Sequence, residues 1–132
     1  MNARAAILGL GSYAPSEIVT NADLEKIVDT TDAWIVERSG IRQRRRASPQ
    51  EATSDLALQA ARSALADAHC PPEDVEGIFV GTASPDMPFP STACILQAAL
   101  GCVGGAAFDL SAACSGFLYA LALGHDAVAA GR

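Results

Sequence analysis

The chain has 132 residues, half of them apolar, 5% aromatic and 18% charged, with a net charge of −6. That length suits one ordinary domain with a real core; the acidity argues against nucleic acid as a partner, and no apolar run reaches the ~18 residues of a membrane span. Cys70, Cys94, Cys102 and Cys114 form no C-x-x-C pair and no metal-ligand spacing with His69 and His125, which points to a reducing, cytoplasmic setting.

In chain order, residues 4–10 read as a buried strand; the run is too short, and too broken by Gly9, for a signal peptide. Gly9-Leu10-Gly11-Ser12-Tyr13-Ala14 nearly matches the dinucleotide fingerprint G-x-G-x-x-G/A. Pro15 follows, however, and no helical period starts before about Asn21, so no helix N-terminus is there to hold a pyrophosphate. Nucleotide binding at this loop is not expected.

A short helix is predicted over 20–28, with Thr20 and Asp23 spaced as a capping box. A second spans 33–39, capped by Thr30 or Thr31 and stopped by Gly40, and an arginine-rich loop follows. Residues 53–69 form an amphipathic helix whose Leu56, Ala60, Ala61, Ala64, Leu65 and Ala68 share a face, and Pro71-Pro72 end it. Next come a buried strand over 77–82 and a proline-rich loop over 84–90. A helix opened by Ser91 or Thr92 and closed by Gly101 leads to a second buried strand over 106–110. A long helix runs from about 113 to 130, apolar on nearly all sides in its first half. Strands that alternate with helices and are apolar throughout predict an α/β fold, with a parallel or mixed sheet covered by helices on both faces. The low charge content means that an unusual share of the chain expects burial.

One segment carries chemistry: Phe108-Asp109-Leu110-Ser111-Ala112-Ala113-Cys114-Ser115-Gly116-Phe117. A buried strand runs through a turn of small residues into a cysteine at the start of a long helix. The first helical amides and the helix dipole favour a thiolate there, and the amide of Cys114 can serve as an oxyanion donor. A packed core cysteine fits the same spacing, since free Cys is among the most buried residue types.

The segment resembles the nucleophile motif of the β-ketoacyl-acyl-carrier-protein synthase III family. So do Thr20-Asn21-Ala22-Asp23-Leu24-Glu25-Lys26, Asp29-Thr30-Thr31-Asp32-Ala33-Trp34-Ile35, Arg38-Ser39-Gly40-Ile41-Arg42 and Phe89-Pro90-Ser91-Thr92-Ala93-Cys94, in order along the chain. The resemblance implies a thiolase-like fold, of which residues 1–132 are the N-terminal half, cut after the nucleophile helix. It implies that Cys114 attacks a short acyl-CoA and holds the acyl group. Malonyl-acyl carrier protein then loses carbon dioxide, and its enolate attacks the acyl-cysteine. No metal or redox cofactor is implied, because departing carbon dioxide generates the carbanion. Trp34, Arg38 and Thr30 stand where the family contacts coenzyme A, and Phe89 where it limits primer size from across a homodimer. Trp34 as an anchor to the core, and Phe89 as cover for local apolar surface, are the alternatives.

Five of the nine basic residues (Arg38, Arg42, Arg44, Arg45, Arg46) cluster, fit either to attract phosphate or simply to solvate a loop. The family's decarboxylating His and Asn would lie beyond Arg132. His125 is eleven residues past Cys114, a rise of roughly 16 Å along one helix. Initiation of fatty-acid synthesis is the expected role. Priming of a polyketide or quinolone-type pathway, and a catalytically incomplete module, are the rivals.

Overall fold

The computed structural model describes residues 5–131. They form two compact units, one over Ala14–Glu51 and one built by the chain on either side of that insertion.

The inserted unit contains β1 (Glu17–Thr20), α1 (Asn21–Leu24), α2 (Asp32–Ser39) and β2 (Gln43–Arg46). β1 and β2 pair antiparallel, from Glu17 opposite Arg46 to Thr20 opposite Gln43. The predicted arginine-rich loop is therefore a strand, and its arginines are structural. Arg44 donates to Asn21 Oδ1 at 2.9 Å, Arg45 to the carbonyls of Pro15 and Ser16, and Arg46 Nε to the Glu17 carboxylate at 3.0 Å. The loop reading gives way to that finding, while Arg45 and Arg46 stay exposed to solvent.

Asn21 is the polar centre of this unit, only 1% exposed. Its amide donates to Asp32 Oδ1 at 2.7 Å and to the Ile41 carbonyl at 2.9 Å, while its oxygen accepts from Arg44. One side chain thereby ties α1 to the start of α2 and to β2. The capping box forms: Asp23 N–H donates to Thr20 Oγ1 and Thr20 N–H to Asp23 Oδ2. α1 is shorter than predicted because the Leu24 carbonyl receives the amides of both Ile27 and Val28, which closes the chain into a turn. Thr31 caps α2, and Gly40 closes it at φ 73°, a left-handed position that glycine takes without strain.

The second unit contains α3 (Thr53–Asp67), a 3₁₀ turn (Pro72–Asp74), β3 (Gly77–Gly81), α4 (Thr92–Leu100), β4 (Ala106–Leu110), a 3₁₀ turn (Ala113–Ser115) and α5 (Gly116–Ala129). β3 and β4 are parallel, Gly77 opposite Ala106 and Gly81 opposite Leu110. On one face Ile78 packs with Ala93 and Leu96 of α4, ringed by Val80, Ala107 and by Ala57, Leu58 and Ala61 of α3. On the other, Phe79 and Phe108 stack with centroids 4.8 Å apart, and Gly124 of α5 lies against Phe79. The α/β class and helical cover on both faces hold; the parallel and antiparallel ladders are two separate two-stranded sheets.

The predicted strand over 4–10 does not form: Arg4 lies outside the described residues, and 5–10 pair with no strand. Instead Leu10 N–H donates to the Asp67 carboxylate at 2.9 Å. Gly9 and Gly11 press against α3 so closely that a Cβ on Gly11 would sit 2.1 Å from the Ala60 carbonyl oxygen. On Gly9 it would sit 2.5 Å from that of Ala64. The near-fingerprint is thus explained by backbone packing on an alanine stripe (Ala60, Ala64, Ala68), and no helix opens on it. The apolar face of α3 divides accordingly, these alanines meeting the glycines while Ala57, Leu58 and Ala61 meet the core. Phe117, Leu118, Tyr119 and Leu121 of α5 are exposed, in keeping with the low charge content.

Candidate active site

β4 delivers the chain to Cys114 at the carboxyl end of the parallel strands, the end at which open α/β sheets bind ligands. The predicted helix does not start at once. Ala113 adopts φ 44°, Ser115 N–H donates to the Ala112 carbonyl, and the α-helix opens only at Gly116. A left-handed alanine costs about 1–2 kcal/mol. Just beyond it, Gly116 runs so close to Gly81 that a Cβ on Gly81 would sit 2.4 Å from the Gly116 carbonyl carbon.

Cys114 is exposed, whereas Cys70, Cys94 and Cys102 are half-buried. Exposure of Cys114 does not fit the packed-core alternative, whereas Cys102 packs against the Ile78 core. Cys94 accepts from the Ser91 hydroxyl and donates to the Ala107 carbonyl, and burial pushes the Cys102 thiol up.

Two open apolar hollows flank α5, one of about 840 Å³ over the amino ends of the strands and one of about 540 Å³ beside Ile7, Phe117 and His125. Neither is lined by Cys114. His125 is exposed and pairs with Asp126 at 3.1 Å.

Sequence reasoning missed a polar frame around the turn. Asp109 of β4 accepts the amides of Thr92 and Ala93 at 2.8 Å each, capping α4 from the strand that leads to Cys114. Asp86 accepts the amide and hydroxyl of Ser54 at 2.9 and 2.5 Å, and the Thr92 hydroxyl at 3.2 Å. An acid alone in an apolar strand was a legible signal for Asp109; Asp86, Ser54 and Thr92 carry none. Phe89, on the loop after Asp86, is 88% exposed and covers no local surface; its peptide bond to Pro90 is cis.

In the inserted unit, Trp34 and Arg38 share a face of α2 as their i, i+4 spacing predicts. The guanidinium lies 5.8 Å from the ring centroid, within cation–π range. Trp34 is 56% exposed, so it is no core anchor. Asp29, Thr30, Thr31 and Trp34 line a hollow of about 200 Å³. The Thr30 hydroxyl is buried without a hydrogen-bond partner, a costly state for a polar group.

No family model matches the chain. Over nearly its whole length it is similar to the N-terminal part of β-ketoacyl-[acyl-carrier-protein] synthases III. With that of Caldanaerobacter subterraneus it is 58% identical over 127 residues, 96% of this chain and 38% of the relative. With that of Rhodospirillum centenum it is 52% identical over 132 residues, 41% of the relative. The chain thus spans about two fifths of the length of these curated relatives. Among solved structures, 3-oxoacyl-[acyl-carrier-protein] synthase III from Aquifex aeolicus superimposes with a TM-score of 0.91 at 49% identity, over 95% of this chain and 40% of that one. The priming β-ketosynthase of a polyketide biosynthetic pathway gives 0.91 at 36% identity, over 99% and 40%. The fold is the thiolase-like α/β fold of these enzymes, in part.

Proposed function

We propose that these residues are the nucleophile-bearing N-terminal half of a condensing enzyme of the β-ketoacyl-acyl-carrier-protein synthase III kind, which starts fatty-acid synthesis. The observation that carries this reading is Cys114, exposed on a left-handed turn between β4 and α5 at the carboxyl ends of the strands.

In the proposed reaction the Cys114 thiolate attacks the thioester carbonyl of a short acyl-CoA. A new carbon–sulfur bond forms, and the bond to coenzyme A breaks to release its thiolate, which takes a proton from water. Malonyl-acyl carrier protein then loses carbon dioxide, and the enolate carbon attacks the acyl-cysteine. A carbon–carbon bond forms as the bond to Cys114 breaks, returning the thiolate. The strained, small-residue turn leaves a carbonyl free to approach the sulfur, and the amide of Cys114 is a candidate oxyanion donor.

Coenzyme A binding falls to the inserted unit. An adenine stacks on the exposed Trp34, Arg38 meets phosphate, and the unpartnered Thr30 hydroxyl gains a partner when the ligand fills the hollow beside it. Phe89, exposed on its loop, enters the acyl pocket of the other subunit of a homodimer and limits primer size. A cytoplasmic setting agrees with four free cysteines. Among the described residues no helix is long and apolar enough to cross a membrane.

A polyketide-priming role is the second reading, favoured by the superposition on the priming β-ketosynthase. Mass spectrometry of the full-length protein after incubation with acetyl-, branched- and aromatic-CoA tests both. Acetyl mass on the Cys114 peptide, absent from Cys114→Ala, supports fatty-acid initiation. Preference for a bulkier primer supports the second reading, and no label from any primer overturns both.

A further inference from the structure

We propose that Asp86 is a positioning residue for Phe89, and that through it Asp86 sets which acyl primers reach Cys114. The inference rests on the assignment of Phe89 to the acyl pocket made above. Met87 and Phe89 are exposed, 45% and 88%, so the ring's place is inherited from the anchors on either side of it.

Those anchors are hydrogen bonds, exposed at Ser84 and part-buried at Asp86. Upstream, Ser84 donates its amide to the Thr82 hydroxyl and accepts the Thr53 hydroxyl on its carbonyl. Asp86 then reaches the first turns of two helices at once. Its carboxylate takes the Ser54 amide and hydroxyl from α3 and the Thr92 hydroxyl from α4, and its own amide donates back to Thr92 Oγ1 at 3.2 Å. Thr92 is fully buried and Ser54 only 9% exposed, so water reaches these bonds only from the half-buried Asp86 side. The frame continues from the Thr92 amide to Asp109 on β4, five residues before Cys114. The loop that carries Phe89 and the strand that leads to the nucleophile are thus referred to one set of hydrogen bonds. Loss of the Asp86 carboxylate strands the Ser54 amide and frees the loop between Asp86 and the cap at Ser91.

The test uses the full-length enzyme and the ratio of kcat/KM between a short acyl-CoA and one longer by a methylene. Asp86→Ala should lower that ratio about tenfold, the scale at which a hydrophobic pocket discriminates one methylene. Ser54→Ala, which removes one bond and spares the carboxylate, should move it the same way but less. Asp86→Asn, which keeps one acceptor oxygen, should restore most of the selectivity. Phe89→Ala alone should match the double variant with Asp86→Ala, since both act through one ring. Leu100→Ala, which trims the same core at the far end of α4, controls for lost stability.

The proposal is overturned if Asp86→Ala changes selectivity no more than a Leu100→Ala variant with an equal drop in Tm. Additive effects of Asp86→Ala and Phe89→Ala overturn it equally. Absence of acyl transfer to Cys114 in the unsubstituted enzyme is a separate result, which removes the condensing-enzyme reading itself.

Discussion

Gly81 and Gly116 meet backbone to backbone: a Cβ built on Gly81 would lie 2.4 Å from the carbonyl carbon of Gly116 and 2.7 Å from the amide nitrogen of Phe117. No flexible side chain is there to yield, so any larger residue must push the end of β3 away from the first turn of α5. Gly81→Ala is expected to cost about 1–3 kcal/mol, the range for overpacking a core. It should also slow acylation of Cys114 by an order of magnitude or more, because displacing a nucleophile by about 1 Å can cost 10²-fold. Denaturant unfolding and stopped acylation assays of the full-length enzyme measure the two effects separately.

Asn21 makes three hydrogen bonds at 1% exposure. Asn21→Ala leaves the Ile41 carbonyl and the Arg44 guanidinium without their buried partner, at about 1–3 kcal/mol for a stranded group. Because Asn21 also grips Asp32 at the start of α2, the expected kinetic signature is a raised KM for acyl-CoA with kcat retained. A fall in kcat at unchanged KM would contradict that role.

The Asp23 carboxylate is held well below the usual carboxylate range, chiefly by its bond to Lys26 and then by Thr20. A lowered value in the folded state means that the unfolded chain takes up the proton first. The contribution of Asp23 to stability is therefore present above the ordinary carboxylate pKa and fades as pH falls below about 4. Tm followed from pH 6 to pH 3 should drop less steeply in Asp23→Asn than in the parent protein.

Thr30→Val replaces a buried, unpartnered hydroxyl by a methyl of similar size. Since an unsatisfied buried polar group is destabilising, the variant should hold or raise Tm. If the hydroxyl awaits coenzyme A, its KM for acyl-CoA should nonetheless rise severalfold. An unchanged KM would remove Thr30 from the proposed site.

Residues 1–132 produced alone expose Phe117, Leu118, Tyr119 and Leu121 along α5 and Ile7, Leu8 and Leu10 before α3. A run of large apolar side chains in water promotes association. Light scattering should find the isolated 132-residue chain self-associated, and a monodisperse monomer would contradict the expectation.

Much of the second unit was legible because its signals are local. Ser91 and Gly101 bracket α4 as a hydroxyl cap and a left-handed stop, and the apolar runs of β3 and β4 have few other uses. β2 escaped notice because Gln43–Arg46 has no apolar residue; its ladder and its arginine contacts with Pro15, Ser16, Glu17 and Asn21 depend on chain far upstream. The reverse error befell residues 5–10, whose apolar run looks like a strand but pairs with no strand among the described residues. At the candidate site, Cys114 could be found from the strand, small-residue turn and helix around it. The left-handed Ala113 could not, since alanine has no local preference for a positive φ. The Asp86–Thr92–Asp109 frame likewise joins residues that only the folded chain brings together.

The fit of Gly9 and Gly11 onto Ala60, Ala64 and Ala68 bears on the order of assembly. The glycine segment leaves the ribosome early, yet its partner stripe emerges only after the whole of Ala14–Glu51 has been made. The inserted unit, whose strands pair within its own span, can close first. The amino-terminal segment must wait, and its docking spans a long separation in sequence, the kind of contact that slows folding. Shortening the insertion should therefore speed formation of the glycine–alanine seam.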